Sequence, residues 1–379
     1  MKAIYAFSGD PITFGHIHII KRAAAIFPEL IVGIGVNPAK KYLFTLEERL
    51  QLAKEALSGF SNISVVAFRG LLVDYAFENN IPVIIRGLRN SEDFNMELML
   101  HQIGESQDMH IETLFLPSGP DMGHISSGAA KALQSEQGFV SDYVPLNVKQ
   151  KLEEKISGQF IVGVTGEIGS GKSYICNKLA KAAEAEGIQV HVISIDRIGH
   201  SILESLSEPL YKELRGLLSE KFGDAIRNAD GFIDTKALGK IIFSDRKKLD
   251  EFNSIIYKPL LLKLRRELYG KKGLILLDSA LIAESNMAYL CNNNVLLLHS
   301  PKEQQLSRLE ERGYSAEQLE QRINSQYSYE TKLACLQKTI SESRYGKIYR
   351  FVNDAAESTT NLQTLLDALA KDLMPLAAH

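Results

Sequence analysis

Short apolar runs alternate along the chain with segments whose apolar residues recur every three or four positions. Strands are expected at 3–7, 30–36, 63–68, 83–85 and 111–116, and helices at 16–27, 46–57, 71–79 and 91–106. Thr45-Leu46-Glu47-Glu48 is a capping box that starts the second helix. Strict alternation of strand and helix predicts a parallel sheet covered on both faces, with ligands at the carboxyl ends of its strands. Ile125-Ser126-Ser127-Gly128 opens a further helix, and a short charged helical segment spans 148–155. The pattern then restarts with an apolar run at 160–162, a glycine-rich loop and an alanine-rich helix over 174–186 closed by Gly187. Strands follow at 190–195 and 274–277, and an amphipathic helix at 358–373 closes the chain. No Pro-rich or repetitive tether separates the halves, so the domains are expected at 1–158 and 159–379, both α/β.

Composition adds constraints rather than a function. At 379 residues the chain has room for two or three domains with cores of their own. A net charge of −3, with no strongly basic half, argues against a nucleic-acid partner, so any grip on phosphates must come from local groups. Cys176, Cys291 and Cys335 are far apart and in no metal-binding spacing, which predicts reduced thiols used for packing. The apolar start at 3–7 is too short for a signal peptide, and no later run reaches membrane-spanning length. A cytoplasmic protein with no membrane partner is expected, and a homo-oligomer is left open.

The candidate chemistry begins at Gly166-Glu167-Ile168-Gly169-Ser170-Gly171-Lys172-Ser173, a P-loop pattern after a strand and before a helix. Its glycines let backbone N–H groups turn around a phosphate, Lys172 reaches the outer phosphates, and the Ser173 hydroxyl suits magnesium. A P-loop normally opens its domain, so the residues before it form a separate unit. Asp196 ends a strand, where a carboxylate can take a proton from a hydroxyl or hold magnesium through water; the bland reading is a helix cap. Asp278, after Leu274-Ile275-Leu276-Leu277, is a second acid of the same kind. In the first half, Ser8-Gly9-Asp10-Pro11-Ile12-Thr13-Phe14-Gly15-His16 follows the first strand and Asn37-Pro38-Ala39-Lys40-Lys41 the second. Arg86-Gly87-Leu88-Arg89 follows the fourth, and Ser126 and Ser127 open a helix. Four strand ends with His, Lys, Arg and a Ser pair make a polyphosphate cradle.

Thr13-x-Gly15-His16 with Ile125-Ser126-Ser127 resembles the paired signatures of nucleotidylyltransferases. With Asp10-Pro11-Ile12-Thr13, Phe44-Thr45-Leu46-Glu47-Glu48-Arg49 and Ile85-Arg86-Gly87-Leu88-Arg89, residues 2–156 look like a bacterial phosphopantetheine adenylyltransferase with a Rossmann-like fold. The resemblance implies in-line attack of a phosphate on the α-phosphorus of ATP, with His16 donating to the developing charge. It implies Ser8, Lys40 and Arg86 around the incoming phosphate, and Ser8, Gly9, His16, Gly87, Arg89, Glu97, Ser126 and Ser127 around ATP. Leu72 matches a pantetheine contact, although core packing explains a Leu there equally, and Glu97 could simply face solvent. The chain departs from the family at Phe7, which replaces a glycine, at Gly104, which replaces an Asn, and at Gly128, which replaces a hydroxyl residue.

The second half, about 160–354, resembles dephospho-coenzyme A kinase. The likeness rests on the P-loop, Ile195-Asp196-Arg197, Phe222-Gly223-Asp224 leading to Asp230-Gly231, the run Asp278-Ser279-Ala280-Leu281-Ile282-Ala283-Glu284, and Arg308, Arg312, Arg322 and Gln326. It implies a P-loop kinase with a lid and an acceptor-binding helical region. Gly166, Gly169, Ser170, Gly171, Lys172 and Ser173 would hold ATP, with Arg308 and Arg312 in or near the lid, unless that Arg series is only solvated. Asp196 would be the base, Asp196, Lys258 and Asp278 would line the acceptor site, and Ser173 and Asp278 would hold Mg2+. Here Ser194 replaces an Asp, Lys258-Pro259 a His-Pro pair, and Ala280-Leu281-Ile282-Ala283-Glu284 a Pro-Leu-Leu-Phe-Glu run. Together the halves imply a bifunctional enzyme of coenzyme A synthesis that uses ATP as co-substrate. Two alternatives share this architecture: a nicotinamide mononucleotide adenylyltransferase fused to a ribosylnicotinamide kinase, and a kinase carrying an inactive nucleotide-sensing first domain.

Overall fold

The computed structural model describes residues 1–242, 245–311, 326–354 and 358–377. The chain divides into two compact units, Met1–Ile156 and Ser157–His379.

In the first unit, β1 (Lys2–Phe7), β2 (Glu29–Ile34), β3 (Ile63–Ala67), β4 (Val83–Leu88) and β5 (Glu112–Pro117) form a parallel sheet of order β3-β2-β1-β4-β5. Alternate residues leave opposite faces of a strand. Ala3, Tyr5, Leu30, Val32, Val83 and Ile85 therefore pack on one face with Ile19, Ile20, Leu52 and Val148, while Ile4, Ile31 and Ile84 meet Ala76 and Ile81 on the other. The first face is covered by α1 (Phe14–Ile26), α2 (Leu46–Ala56) and α6 (Leu146–Leu152). On the other side of the sheet lie α3 (Leu72–Glu78) and α4 (Ser91–Glu105); α5 (Ser127–Ser135) packs with the first face. The box at Thr45 is formed: its hydroxyl accepts from Glu48 N, and Glu48 Oε2 accepts from Thr45 N at 2.8 Å. The chain order turns back at β1, which lies between β2 and β4. That switch point opens a crevice at the strand ends.

β4 runs three residues past the expected end, because Arg86, Gly87 and Leu88 pair with Phe115, Leu116 and Pro117. Arg86 and Gly87 thus lie within the strand, not after it. The expected 148–155 helix is α6 followed by a π-helical turn, Glu153–Ser157, at the join.

In the second unit, β6 (Gln159–Gly166), β7 (Val190–Ser194), β8 (Gly273–Asp278), β9 (Asn294–His299) and β10 (Lys347–Val352) form a parallel sheet of order β10-β9-β6-β8-β7. One face buries Phe160, Val162, Val164, Leu274, Leu276, Leu296 and Leu298 against α7 (Lys172–Ala185) and the last helix. Cys176 and Cys291 are buried, and no disulfide occurs among the described residues. Helices α8 (Ile195–Glu204), α9 (Pro209–Phe222), α10 (Thr235–Ile242) and α11 (Arg246–Leu268) follow β7 and pack on one another. Among the described residues α12 (Lys302–Glu310), α13 (Tyr329–Ser343) and α14 (Ser358–Ala377) follow.

α7 starts at Lys172, two residues before its expected start, and β7 stops at Ser194, so Ile195 already belongs to α8. No helix among the described residues is long and apolar enough to cross a membrane.

Candidate active sites

The first crevice is built from β1 and the helix it feeds. Thr13 caps α1, and its backbone N–H donates to His16 Nδ1 at 3.1 Å. A nitrogen that accepts a hydrogen bond carries no proton, so Nε2–H is the donor left to the crevice. Burial chiefly, then the charges of Arg89 and Lys40, lower the His16 pKa to about 3. The imidazole is a neutral donor, not a general acid. Phe7 stacks on it, centroids 4.2 Å apart and planes 12° from parallel. The ring that replaces the family's glycine thus packs on the very residue whose role is at issue. Gly9 takes up the turn at φ +61, and a Cβ there would come within 3.2 Å of the Phe7 ring.

Lys40 Nζ reaches Ser8 Oγ at 3.5 Å. Arg86 pairs with Glu97 at 2.7 Å, which gives Glu97 an ion-pair partner where a solvated face was the alternative. Arg89 grips Asp93 with two nitrogens at 2.7 and 2.9 Å, and that carboxylate raises the guanidinium pKa. Ser126 caps α5, accepting from Ala129 N, while Ser127 Oγ donates to Pro11 O at 2.7 Å. Gly87 sits where a Cβ would press on Ile19 and Tyr5 at 3.1 Å. Leu72 is half-buried against the Ile4 cluster. At Gly104 a Cβ would stand 2.9 Å from Val73, so the missing side chain lets α4 approach α3.

Arg49 was not foreseen as part of this site. It is 2 % exposed, donates to the carbonyls of Ser8 and Gly35, and lies over the Tyr42 ring. Its signal is its place on the core side of α2, one turn before Leu52 and Ala53, where a charged residue must have buried partners.

The second crevice lies at the ends of β6, β7 and β8. Gly171 has φ +84, and a Cβ on it would come within 2.3 Å of Asn353 Nδ2, so only glycine fits between the loop and that side chain. Lys172 Nζ donates to the carbonyls of Gly166 and Glu167 at 3.1 and 3.2 Å, and burial lowers its pKa against the pull of Asp278 and Asp196. The loop's outside is braced by Asn353 Nδ2 on Ser170 O at 2.8 Å and by Arg308 Nη1 on Gly169 O at 3.1 Å. Arg308 also donates to Ser300 and Gln304. Arg312 and Arg322 lie outside the described residues, and Lys258 is exposed on α11.

Ser194, not Asp196, caps α8, with its hydroxyl accepting from Arg197 N, so the Asp196 carboxylate is not spent as a cap. Ser173 Oγ donates to Asp278 Oδ2 at 3.2 Å, and the buried Asp278 Oδ1 has no hydrogen-bond partner. Burial raises the Asp278 pKa, opposed by Lys172. A hydroxyl beside an orphaned carboxylate oxygen fits a hard divalent cation that keeps most of its waters. No group of three or more His, Cys, Asp or Glu side chains able to hold a metal occurs among the described residues.

The chain is 42 % identical to the phosphopantetheine adenylyltransferase of Caldanaerobacter subterraneus over 153 residues, 40 % of this chain and 96 % of that protein. The chain belongs to the phosphopantetheine adenylyltransferase family. The corresponding enzyme of Carboxydothermus hydrogenoformans is 45 % identical over 153 residues, 40 % of this chain and 94 % of that one. The cytidylyltransferase-like family profile matches residues 8–132 of this adenylyltransferase half, and the dephospho-CoA kinase profile matches residues 160–345. A solved dephospho-CoA kinase from Campylobacter jejuni aligns over 56 % of this chain and 98 % of its own at 20 % identity and a TM-score of 0.34. The protein is a transferase that joins an adenylyltransferase unit to a kinase unit, and the matches favour the coenzyme A reading over the nicotinamide one.

Proposed function

We propose that the first unit transfers adenylyl from ATP to 4'-phosphopantetheine and that the second phosphorylates the 3'-hydroxyl of the resulting dephospho-coenzyme A. In the first step a phosphate oxygen of the acceptor bonds to the α-phosphorus as the bond to the β-phosphate breaks, and pyrophosphate leaves. The attacking group is already an anion, so no base is required; catalysis is alignment and charge stabilisation. His16 Nε2–H suits the oxygen that gains charge, with Ser8, Lys40 and Arg86 around the incoming phosphate. Gly9, Gly87, Arg89, Glu97, Ser126 and Ser127 are assigned to ATP, and Leu72 to the pantetheine arm. The observation that carries this reading is the Thr13-to-His16 hydrogen bond, which leaves a fixed neutral donor beside Lys40 and Arg89.

In the second step Asp196 takes the hydroxyl proton as its oxygen bonds to the γ-phosphorus, and ADP leaves. Gly166, Gly169, Ser170, Gly171 and Lys172 hold the phosphates. Arg308 steadies the loop from outside and Lys258 serves the acceptor. Ser173 and Asp278 would hold Mg2+, which when bound draws charge from the phosphate oxygens. We assign the protein to the cytoplasm. Self-association belongs to the same proposal, supported by the exposed stripe Met96, Met99, Leu100 and Ile103 on α4.

Mass spectrometry of the products from ATP, magnesium and 4'-phosphopantetheine tests the whole reading. Dephospho-coenzyme A followed by coenzyme A is expected. ATP binding with no adenylyl product would instead make the first unit a sensor.

A further inference from the structure

We infer that Ser279 and the peptide of Ala280 are positioning elements that hold Asp196 in its reactive orientation; this rests on the kinase reading above. Asp196 is exposed in the first turn of α8, beside Lys172, whose pKa its charge affects. An untethered carboxylate there would swing onto the ammonium, and both groups would be lost to the reaction. The structure prevents this with two donors. Ser279 Oγ donates to Asp196 Oδ1 at 2.8 Å, and Ala280 N donates to Oδ2 at 3.2 Å.

Both donors are themselves fixed. Ser194, two residues before Asp196, pairs with Asp278, so the carboxylate and Ser279 leave neighbouring strand ends together. Ser279 is 2 % exposed, and its N–H donates to Val164 O at 3.0 Å. Its hydroxyl oxygen accepts from Leu281 N at 3.3 Å, which leaves the hydroxyl hydrogen for Asp196. The Ala280 carbonyl accepts from Thr165 Oγ1 at 3.1 Å and from Lys332 Nζ at 2.7 Å, and Thr165 and Lys332 are fully buried. Lys332 also pairs with Glu284. The Ala280–Leu281 peptide that carries this carbonyl adjoins the Ser279–Ala280 peptide that carries the Ala280 N–H, so anchoring the first limits how far the second can turn away from Asp196. Among the described residues each Asp196 oxygen has one protein donor, and the exposed carboxylate keeps lone pairs for an acceptor hydroxyl. A proline at 280 would have no N–H to give.

The test uses the full chain, ATP and dephospho-coenzyme A. Ser279→Thr and Ser279→Val are nearly equal in volume and differ in the hydroxyl. Threonine should stay within about twofold of wild type, and valine should lower kcat about tenfold, the loss expected for one hydrogen bond to a charged group, with the KM for ATP unchanged. Ser279→Ala, which adds no atoms, should show the same kcat loss in a chain that still folds, with only the small fall in melting temperature expected from losing the Leu281 contact, so a valine or threonine variant that fails to fold does not decide the matter. In an Asp196→Asn background, Ser279→Val should cost nothing further. Equal effects of valine and threonine, a change confined to KM, or a full additional loss in the Asp196→Asn background would overturn the positioning role while the kinase reading stands. A wild-type chain without kinase activity would overturn the kinase reading itself.

Discussion

His16 shows how one backbone hydrogen bond can set the chemistry of a side chain. Thr13 N–H occupies Nδ1, Phe7 fixes the ring plane, and burial with two nearby cations keeps the ring uncharged down to about pH 3. The unfolded chain takes a proton on this residue near pH 6.5, while the folded chain does not until about pH 3. Between those values the unfolded form binds the extra proton, so the native state loses stability as pH falls from about 6.5 toward 3. An Asn at 16 can still accept from Thr13 N–H but does not titrate. The melting temperature of His16→Asn should therefore fall less between pH 7 and 5 than that of wild type. Nitrogen NMR of wild type should show the Nε2–H tautomer unchanged over the same range; an imidazole that titrates near 6 would refute the neutral-donor assignment.

At the scale of elements, strands and helices follow the apolar spacing closely, and the box at Thr45 starts α2 where Thr-x-x-Glu predicts. The misses have two causes. β4 extends through Leu88 because β5, distant in sequence, lies beside it, and α7 starts at Lys172 because the adjacent Gly171 turns the chain. The glycine-rich turn before α7 and the helix mouth at Thr13 and His16 are legible because each is written in one contiguous motif. Their supports are not: Arg49 reaches back to Ser8, and Asn353 reaches Ser170 from the end of β10. Asn353 is 2 % exposed, and its amide is a brace on the loop rather than a phosphate ligand. Asn353→Ala should then raise the kinase KM for ATP roughly five- to tenfold, the worth of about one buried hydrogen bond, with kcat largely kept. Unchanged ATP affinity in steady-state kinetics would mean that the loop holds its shape without this brace.

At the scale of the molecule, each set of assigned residues is complete within its own unit: those of the adenylyl transfer lie in Met1–Ile156 and those of the phosphoryl transfer in Ser157–His379. Neither proposed step forms a covalent bond between protein and metabolite, so the shared intermediate leaves the first site as a free molecule. Carrying both sites on one chain raises the intermediate's concentration at the second site only if geometry directs it there. His16→Ala should lose pyrophosphate release and keep kinase activity on supplied dephospho-coenzyme A, and Lys172→Ala should accumulate dephospho-coenzyme A. An equimolar mixture of the two variants should then make coenzyme A from 4'-phosphopantetheine, after the lag needed for the intermediate to approach the KM of the second site. Wild type at the same concentration of working sites should show the same lag. A shorter lag in the intact chain would demonstrate direct hand-over, and failure of the mixture to make coenzyme A would show that the two sites do not act independently.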